Sequence, residues 1–256
     1  MKYTVITGAS SGIGRAAAES FAKRGKNLIL TARRENLLEA LRETLHQRYP
    51  APEIVVVPAD LSAPENACRF YDALQEFPLE TWVNNAGFGN YASVPCQRLD
   101  KALSMLRLNV EAVTILSTLF ARDYRDAYGA QLINVSSCGG YTIVPDAVTF
   151  CASKFYVSAF TEGLAHELKA CGAALRAKVL APAATRTEFG RIANDAAEYD
   201  YDRRFGTYHT SEQAAEFLMR LYDSNRAIGI VDRETFQFRL CDALFPYAGG
   251  SAHNQS

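Results

Sequence analysis

Short β-branched runs alternate with longer helical stretches along most of this 256-residue chain, and that alternation restricts the fold more than any other feature. "YTVIT" (3–7) reads as a strand, and helix-like sequence follows from Gly12 to about Arg24, closed by Gly25. "NLILT" (27–31) is the next strand. In "ENLLEALRETLHQRY" (35–49), Leu37, Leu38, Leu41 and Leu45 fall at helical spacing, and Pro50 and Pro52 stop the helix. "EIVVVPAD" (53–60) is nearly all apolar, as strands covered on both faces are. A helix at about 64–76, "TWVNNAG" (81–87), a long helix at about 98–126 and "AQLINVSS" (130–137) continue the pattern. A second long helix at about 149–170, "ALRAKVLAP" (174–182), an irregular stretch at 188–210, a helix at 211–224 and "AIGIVD" (227–232) complete it. Units of this size predict an α/β fold, a doubly wound parallel sheet of about seven strands with helices on both faces. No repeat or linker interrupts them, so residues 1–256 read as one domain with a short C-terminal tail.

The charges nearly cancel, with 27 Lys and Arg against 28 Asp and Glu and a formal net charge of −1. No long-range field then favours nucleic acid or an anionic membrane. No apolar run reaches the roughly 18 residues of a membrane span, and "MKYTVITGAS" enters a strand pattern without a signal core. The cysteines at 68, 96, 138, 151, 171 and 241 form no C-x-x-C pair, and the histidines at 46, 166, 209 and 253 show no ligand spacing. The expectation is a reduced, soluble, cytoplasmic protein with no metal, nucleic-acid or membrane partner.

The first strand–helix junction, "TGASSGIG" (7–14), spaces Gly8, Gly12 and Gly14 as G-x-x-x-G-x-G. Glycines there permit a tight turn, let a pyrophosphate approach the backbone, and expose helix N-terminal N–H groups to it. In isolation a ligand-free glycine turn looks the same. The second strand ends Ala32-Arg33-Arg34. Ala32 stands where a NAD fold places an acid for the ribose 2′-hydroxyl. The guanidinium of Arg33 suits a 2′-phosphate instead, with Arg15 as a second contact, although solvated arginines read the same way. Asp60 falls at the end of the third strand, where a carboxylate can accept the adenine amino group. "NNAG" (84–87) ends the fourth; its amides can tie strand ends together, and Gly87 lets a cofactor pass close. Independent motifs at the carboxyl ends of several strands point to a dinucleotide there.

With Asn109 in "LNV", Ser137 in "INVSS", Lys154 and "APAATRTEF" (181–189), these motifs resemble the short-chain dehydrogenase/reductase family over roughly residues 1–232. The resemblance implies a Rossmann-type sheet and reversible hydride transfer between a nicotinamide and an alcohol or carbonyl compound. With Arg33 it implies NADP(H). The cofactor surface would comprise Gly8, Ser10, Ser11, Gly12, Ile13, Gly14, Arg33, Asp60, Leu61, Asn85, Ala86, Gly87, Lys154, Pro182, Thr185 and Thr187. The family's catalytic set is Asn, Ser, Tyr and Lys. By that resemblance Asn109 holds a water and the lysine backbone in a proton relay, and Ser137 hydrogen-bonds the substrate oxygen. Lys154 binds the nicotinamide ribose and lowers the phenol pKa. Ala183 departs from the pattern, standing where the family has Gly.

The phenol's place, one helical turn before Lys154, is Phe150 in "TFCASKFY" (149–156). Phenylalanine keeps the ring and removes the transferable proton, and a positioned acid is worth about 10²–10⁴-fold. Three readings follow. One is an active family member whose tyrosine was exchanged to trap a complex. Another is a natural non-catalytic NADP(H)-binding sensor or interaction protein. The third is an enzyme with another donor, for which Tyr141, Tyr156 and Tyr91 are the neighbours in sequence.

In the resembling family, the segment after the sixth strand caps the substrate. Here 188–210 carries Tyr199, Tyr201 and Tyr208 beside Arg203 and Arg204. An aromatic lid fits a cyclic or partly apolar carbonyl compound, and an arginine suits an acid group; a solvated loop has the same composition. The family also pairs its two long helices between subunits, which implies a homodimer or homotetramer.

Overall fold

Strand β1 (Tyr3–Thr7) is buried at every position because apolar layers cover both of its faces. On one face Ile6 packs with residues of α1 (Gly12–Lys23), which leads into β2 (Asn27–Thr31), and of α2 (Glu35–Arg48). On the other, Val5 packs with Trp82, Phe70 and Phe120. The computed structural model describes residues 2–249; His253 and the end of the tail lie outside them.

The chain continues through β3 (Ile54–Val56), α3 (Pro64–Asp72), β4 (Leu79–Asn84), α4 (Leu99–Leu106), α5 (Val113–Tyr124), β5 (Gln131–Val135), α6 (Val148–Ala170) and β6 (Arg176–Ala181). A two-residue pair, β7 (Thr185–Arg186) and β8 (His209–Thr210), brackets short helices α7 (Phe189–Ala193) and α8 (Tyr201–Arg204). Then come α9 (Ser211–Asp223), β9 (Ile228–Val231) and β10 (Phe238–Cys241). The main sheet has the order β10-β9-β6-β5-β4-β1-β2-β3. All its pairs are parallel except β9 with β10. Successive strands run outward from β1 to one edge and from β4 to the other. A crevice therefore opens over the carboxyl ends of β1 and β4, where such sheets bind ligands.

Four details differ from the sequence reading. The sheet has eight strands among the described residues, not about seven, because β10 folds back antiparallel on β9. The third strand is three residues long and only half-buried, since β3 is an edge strand with β2 as its single partner. The long helix at 98–126 is interrupted by a π-helical turn at Arg107–Ala112. Taken through, Leu99–Tyr124 is long and apolar enough by composition to cross a bilayer; here Ala112, Leu116 and Phe120 pack into the core.

Candidate active site

A cavity of about 710 Å³ lies over the carboxyl ends of the central strands, running from the glycine turn to Phe150. The turn is a steric necessity. Gly8 and Gly12 have φ of +68° and +55°, a region that side chains disfavour. A Cβ on Gly14 would collide with the Gly8 carbonyl oxygen and the Asn85 amide. Gly14 is accordingly buried beneath the turn and does not line the cavity, whereas Gly8, Ser10, Ser11, Gly12 and Ile13 do. The "NNAG" amides stitch strands as expected. Asn85 Nδ2 donates to the Thr7 carbonyl at 2.9 Å, and Asn84 Nδ2 donates to Asn134 Oδ1 at 2.9 Å. The Thr7 hydroxyl accepts from the backbone of Asn85 and Ala86.

Arg33, Asp60, Leu61, Asn85, Ala86 and Gly87 line the cavity at or near this end. Arg33 is exposed, and Arg15 does not reach the cavity. The engaged cation is Arg34. Its guanidinium donates to Ser10 Oγ at 3.2 Å, Ser11 Oγ at 3.0 Å and Glu188 Oε2 at 2.6 Å. That pair holds the Glu188 carboxyl below the ordinary range, chiefly by its hydrogen bond to Arg34. Two arginines and two hydroxyls beside a glycine turn are groups able to donate to a phosphate. At Gly87 a Cβ would come within 2.9 Å of Asn109 Oδ1 and 3.6 Å of Lys154 Nζ, so no side chain fits there.

At the other end Ser137, Phe150 and Lys154 line the same cavity. Ser137 Oγ accepts from Gly139 N at 3.0 Å, which leaves its proton free to donate. Lys154 is buried, donates to the Val135 carbonyl at 2.9 Å, and sits 5.9 Å from the Phe150 ring centroid. Burial lowers its pKa from 10.5 to about 8. Asn109, in the π-helical turn, is buried behind the cavity. Its side chain clamps Phe88, accepting from that residue's N–H and donating to its carbonyl, and also donates to Ser153 Oγ. The Lys154 carbonyl accepts from Ser136 Oγ at 2.9 Å. Pro182, Thr185 and Thr187 line the cavity, with the Thr187 methyl 3.0 Å from where a Gly12 Cβ would stand.

The tyrosines separate cleanly. Tyr141 donates to Glu162 at 2.6 Å and stacks on Phe245, away from the cavity. Tyr156 meets the Thr114 hydroxyl at 2.7 Å on the outer side of α6. Tyr91 lines the cavity and packs edge-on against Phe150, with ring centroids 5.8 Å apart. Of the lid residues, Tyr199 and Tyr201 line the cavity; Tyr208 does not, because its hydroxyl pairs with Asp202 and its ring with Arg186. Arg203 and Arg204 are exposed; Arg191 and Arg233 are the lid-side cations that line the cavity. The lid is docked rather than loose. Lys101 Nζ donates to the Ile192 carbonyl at 2.8 Å and pairs with Asp195 at 2.8 Å. The sequence reading missed Arg34, Glu188, Phe189, Arg233 and Phe236. Arg34 alone carried a signal, its place beside Arg33.

A family model described as short chain dehydrogenase matches residues 2–198. Sulfoacetaldehyde reductase 2 of Chromohalobacter salexigens is 34% identical over 224 residues, 84% of this chain and 85% of that protein. A short-chain dehydrogenase from Sphingobium yanoikuyae in complex with NADPH superposes with a TM-score of 0.83 at 26% identity, covering 91% of this chain and 89% of that one. A short-chain dehydrogenase/reductase from Burkholderia phymatum in complex with NAD gives 0.74 at 27% identity, covering 86% and 84%.

Proposed function

This chain belongs to the short-chain dehydrogenase/reductase family, and from that we propose that it interconverts a carbonyl compound and a secondary alcohol using NADP(H), slowly because of Phe150. One observation carries the reading: a phosphate-type donor set and the Ser137–Lys154–Phe150 cluster line opposite ends of one cavity. Arg33, Arg34, Ser10 and Ser11 would hold the 2′-phosphate end, the glycine turn the pyrophosphate, and Lys154 the nicotinamide ribose. When bound, the nicotinamide supplies or accepts the hydride. Ser137 directs its hydroxyl proton at the substrate oxygen, and Phe189, Tyr199 and Tyr201 exclude water around an apolar carbonyl compound.

Phe150 fills the proton donor's place with a ring that has no proton to give. Its neighbours are otherwise the set that family resemblance demands, and a positioned acid is worth about 10²–10⁴-fold in rate. The test is stoichiometric NADPH binding by calorimetry, followed by one-for-one conversion of a carbonyl substrate to its alcohol with NADPH consumption. Absence of NADPH binding at millimolar cofactor would refute the reading.

A further inference from the structure

We propose that the phenol of Tyr91 acts as the proton donor in this chain, in the place that Phe150 leaves without one; the proposal rests on the hydride-transfer reading above. Three observations carry it. Tyr141 and Tyr156 are engaged elsewhere, by Glu162 and Thr114. Tyr91 shares the cavity with Ser137 and Lys154. Among the described residues its hydroxyl makes no hydrogen bond, and only burial and nearby ionisable groups act on it.

The Tyr91 ring is held in place. It meets Phe150 edge-on at 5.8 Å and Phe189 edge-on at 6.1 Å, and its backbone N–H donates to the Ala193 carbonyl at 2.9 Å. A side chain fixed on two rings and one backbone bond presents its hydroxyl without an ordering cost at the moment of reaction. The loop that carries it, immediately after "NNAG", packs against the lid: a Cβ on Gly89 would lie 2.7 Å from the Phe189 ring and 2.9 Å from Ala193. The donor and the lid therefore form one packed unit.

In the reduction, the carbonyl carbon receives the hydride supplied by the reduced nicotinamide, which is oxidised. The carbonyl oxygen takes the proton from Tyr91 Oη. The phenolate left behind regains a proton from water, and the alcohol leaves. Burial pushes the Tyr91 phenol up, which makes it a weaker acid than a phenol set directly beside Lys154. A phenol is nevertheless a stronger acid than an alcohol, so it can protonate a developing alkoxide. The consequence is a slow reductase.

The experiment compares the parent, Tyr91→Phe, Phe150→Tyr and the double variant on a panel of cyclic ketones, aldehydes and diketones with NADPH. Tyr91→Phe should lower the parent's kcat by at least about tenfold while leaving NADPH affinity unchanged. The same change should cost much less in the Phe150→Tyr background. A second readout needs no turnover. In a dead-end complex with NADP⁺ and the best ketone of the panel, the infrared carbonyl stretch should rise on Tyr91→Phe as its hydrogen bond is lost. An active Phe150→Tyr form beside a parent whose rate and carbonyl stretch ignore Tyr91→Phe overturns this inference and leaves the proposed function standing. Silence of all four forms overturns both.

Discussion

On the proposed NADP(H) reading, Arg34 is the residue expected to set which nicotinamide nucleotide the groove prefers. In the free chain its guanidinium is shared among Ser10, Ser11 and Glu188. The Arg34–Glu188 pair is partly solvated, with side-chain exposures of 41% and 37%. Such pairs are worth only about 0.2–1 kcal/mol. A charge-assisted bond to a 2′-phosphate is worth about 1.5–3 kcal/mol, so the phosphate should win the guanidinium from the carboxylate. Removing Arg34 as Arg34→Ala should weaken NADPH by about 10–150-fold and NADH by less than about threefold. Glu188→Gln releases the arginine and should tighten NADPH by up to about fivefold, the equivalent of the lost pair. Calorimetric titration of both nucleotides reads both effects. Equal losses for NADPH and NADH on Arg34→Ala would mean that Arg34 serves the turn rather than the phosphate. No loss for either would leave Arg33 as the only cation at work.

Gly14→Ala should destabilise the fold by about 1–3 kcal/mol, the usual cost of overpacking, because the new methyl meets the Gly8 carbonyl and the Asn85 amide; thermal unfolding measures it, and an unchanged midpoint would contradict the packing argument. Lys154 titrates near 8 in the folded chain against 10.5 for the free group, so between those values the unfolded chain holds more protons and stability rises with pH. The contribution, about 3 kcal/mol, is complete above about pH 10.5 and is lost as pH falls through 8; Lys154→Met should flatten that rise in a denaturant series, and an identical slope would refute the burial cause. Exposed apolar Leu99, Leu103, Val148 and Tyr156 on α4 and α6 fit a face shared between copies of the chain, so we expect a homodimer or homotetramer; sedimentation showing only monomer at micromolar concentration would contradict it.

The legible parts of the fold were those that local sequence dictates. The glycine turn, the strand-end "NNAG" and the helix that carries Lys154 each announce themselves by spacing and by residues with few conformational alternatives. The missed parts depend on what the chain meets in space. The apolar run of β3 predicts a strand covered on both faces, yet its edge position leaves it half-buried. β10 is four residues long, too short to stand out without its partner β9. The π-helical turn at Asn109 carries no Pro or Gly to mark it. Glu188 reaches Arg34 across 154 positions, a pairing that no local pattern encodes. The hold of Asn109 on Phe88 joins residues 21 positions apart, which no local pattern encodes either. Composition predicts Tyr208 as a lid residue; its pairing with Asp202 and Arg186 turns it outward.

We propose that this cavity is a reductase site lacking the hydroxyl of its main acid. The Phe150→Tyr variant tests it most directly, since one oxygen is added to a ring already set 5.9 Å from Lys154 Nζ. With NADPH and a broad carbonyl panel, kcat should rise by at least about 10²-fold over the parent, with NADPH affinity unchanged and the new hydroxyl within about 3.2 Å of a bound ligand's oxygen. A variant that binds NADPH as tightly as the parent, places its hydroxyl on the ligand and still shows no gain in turnover would contradict the account.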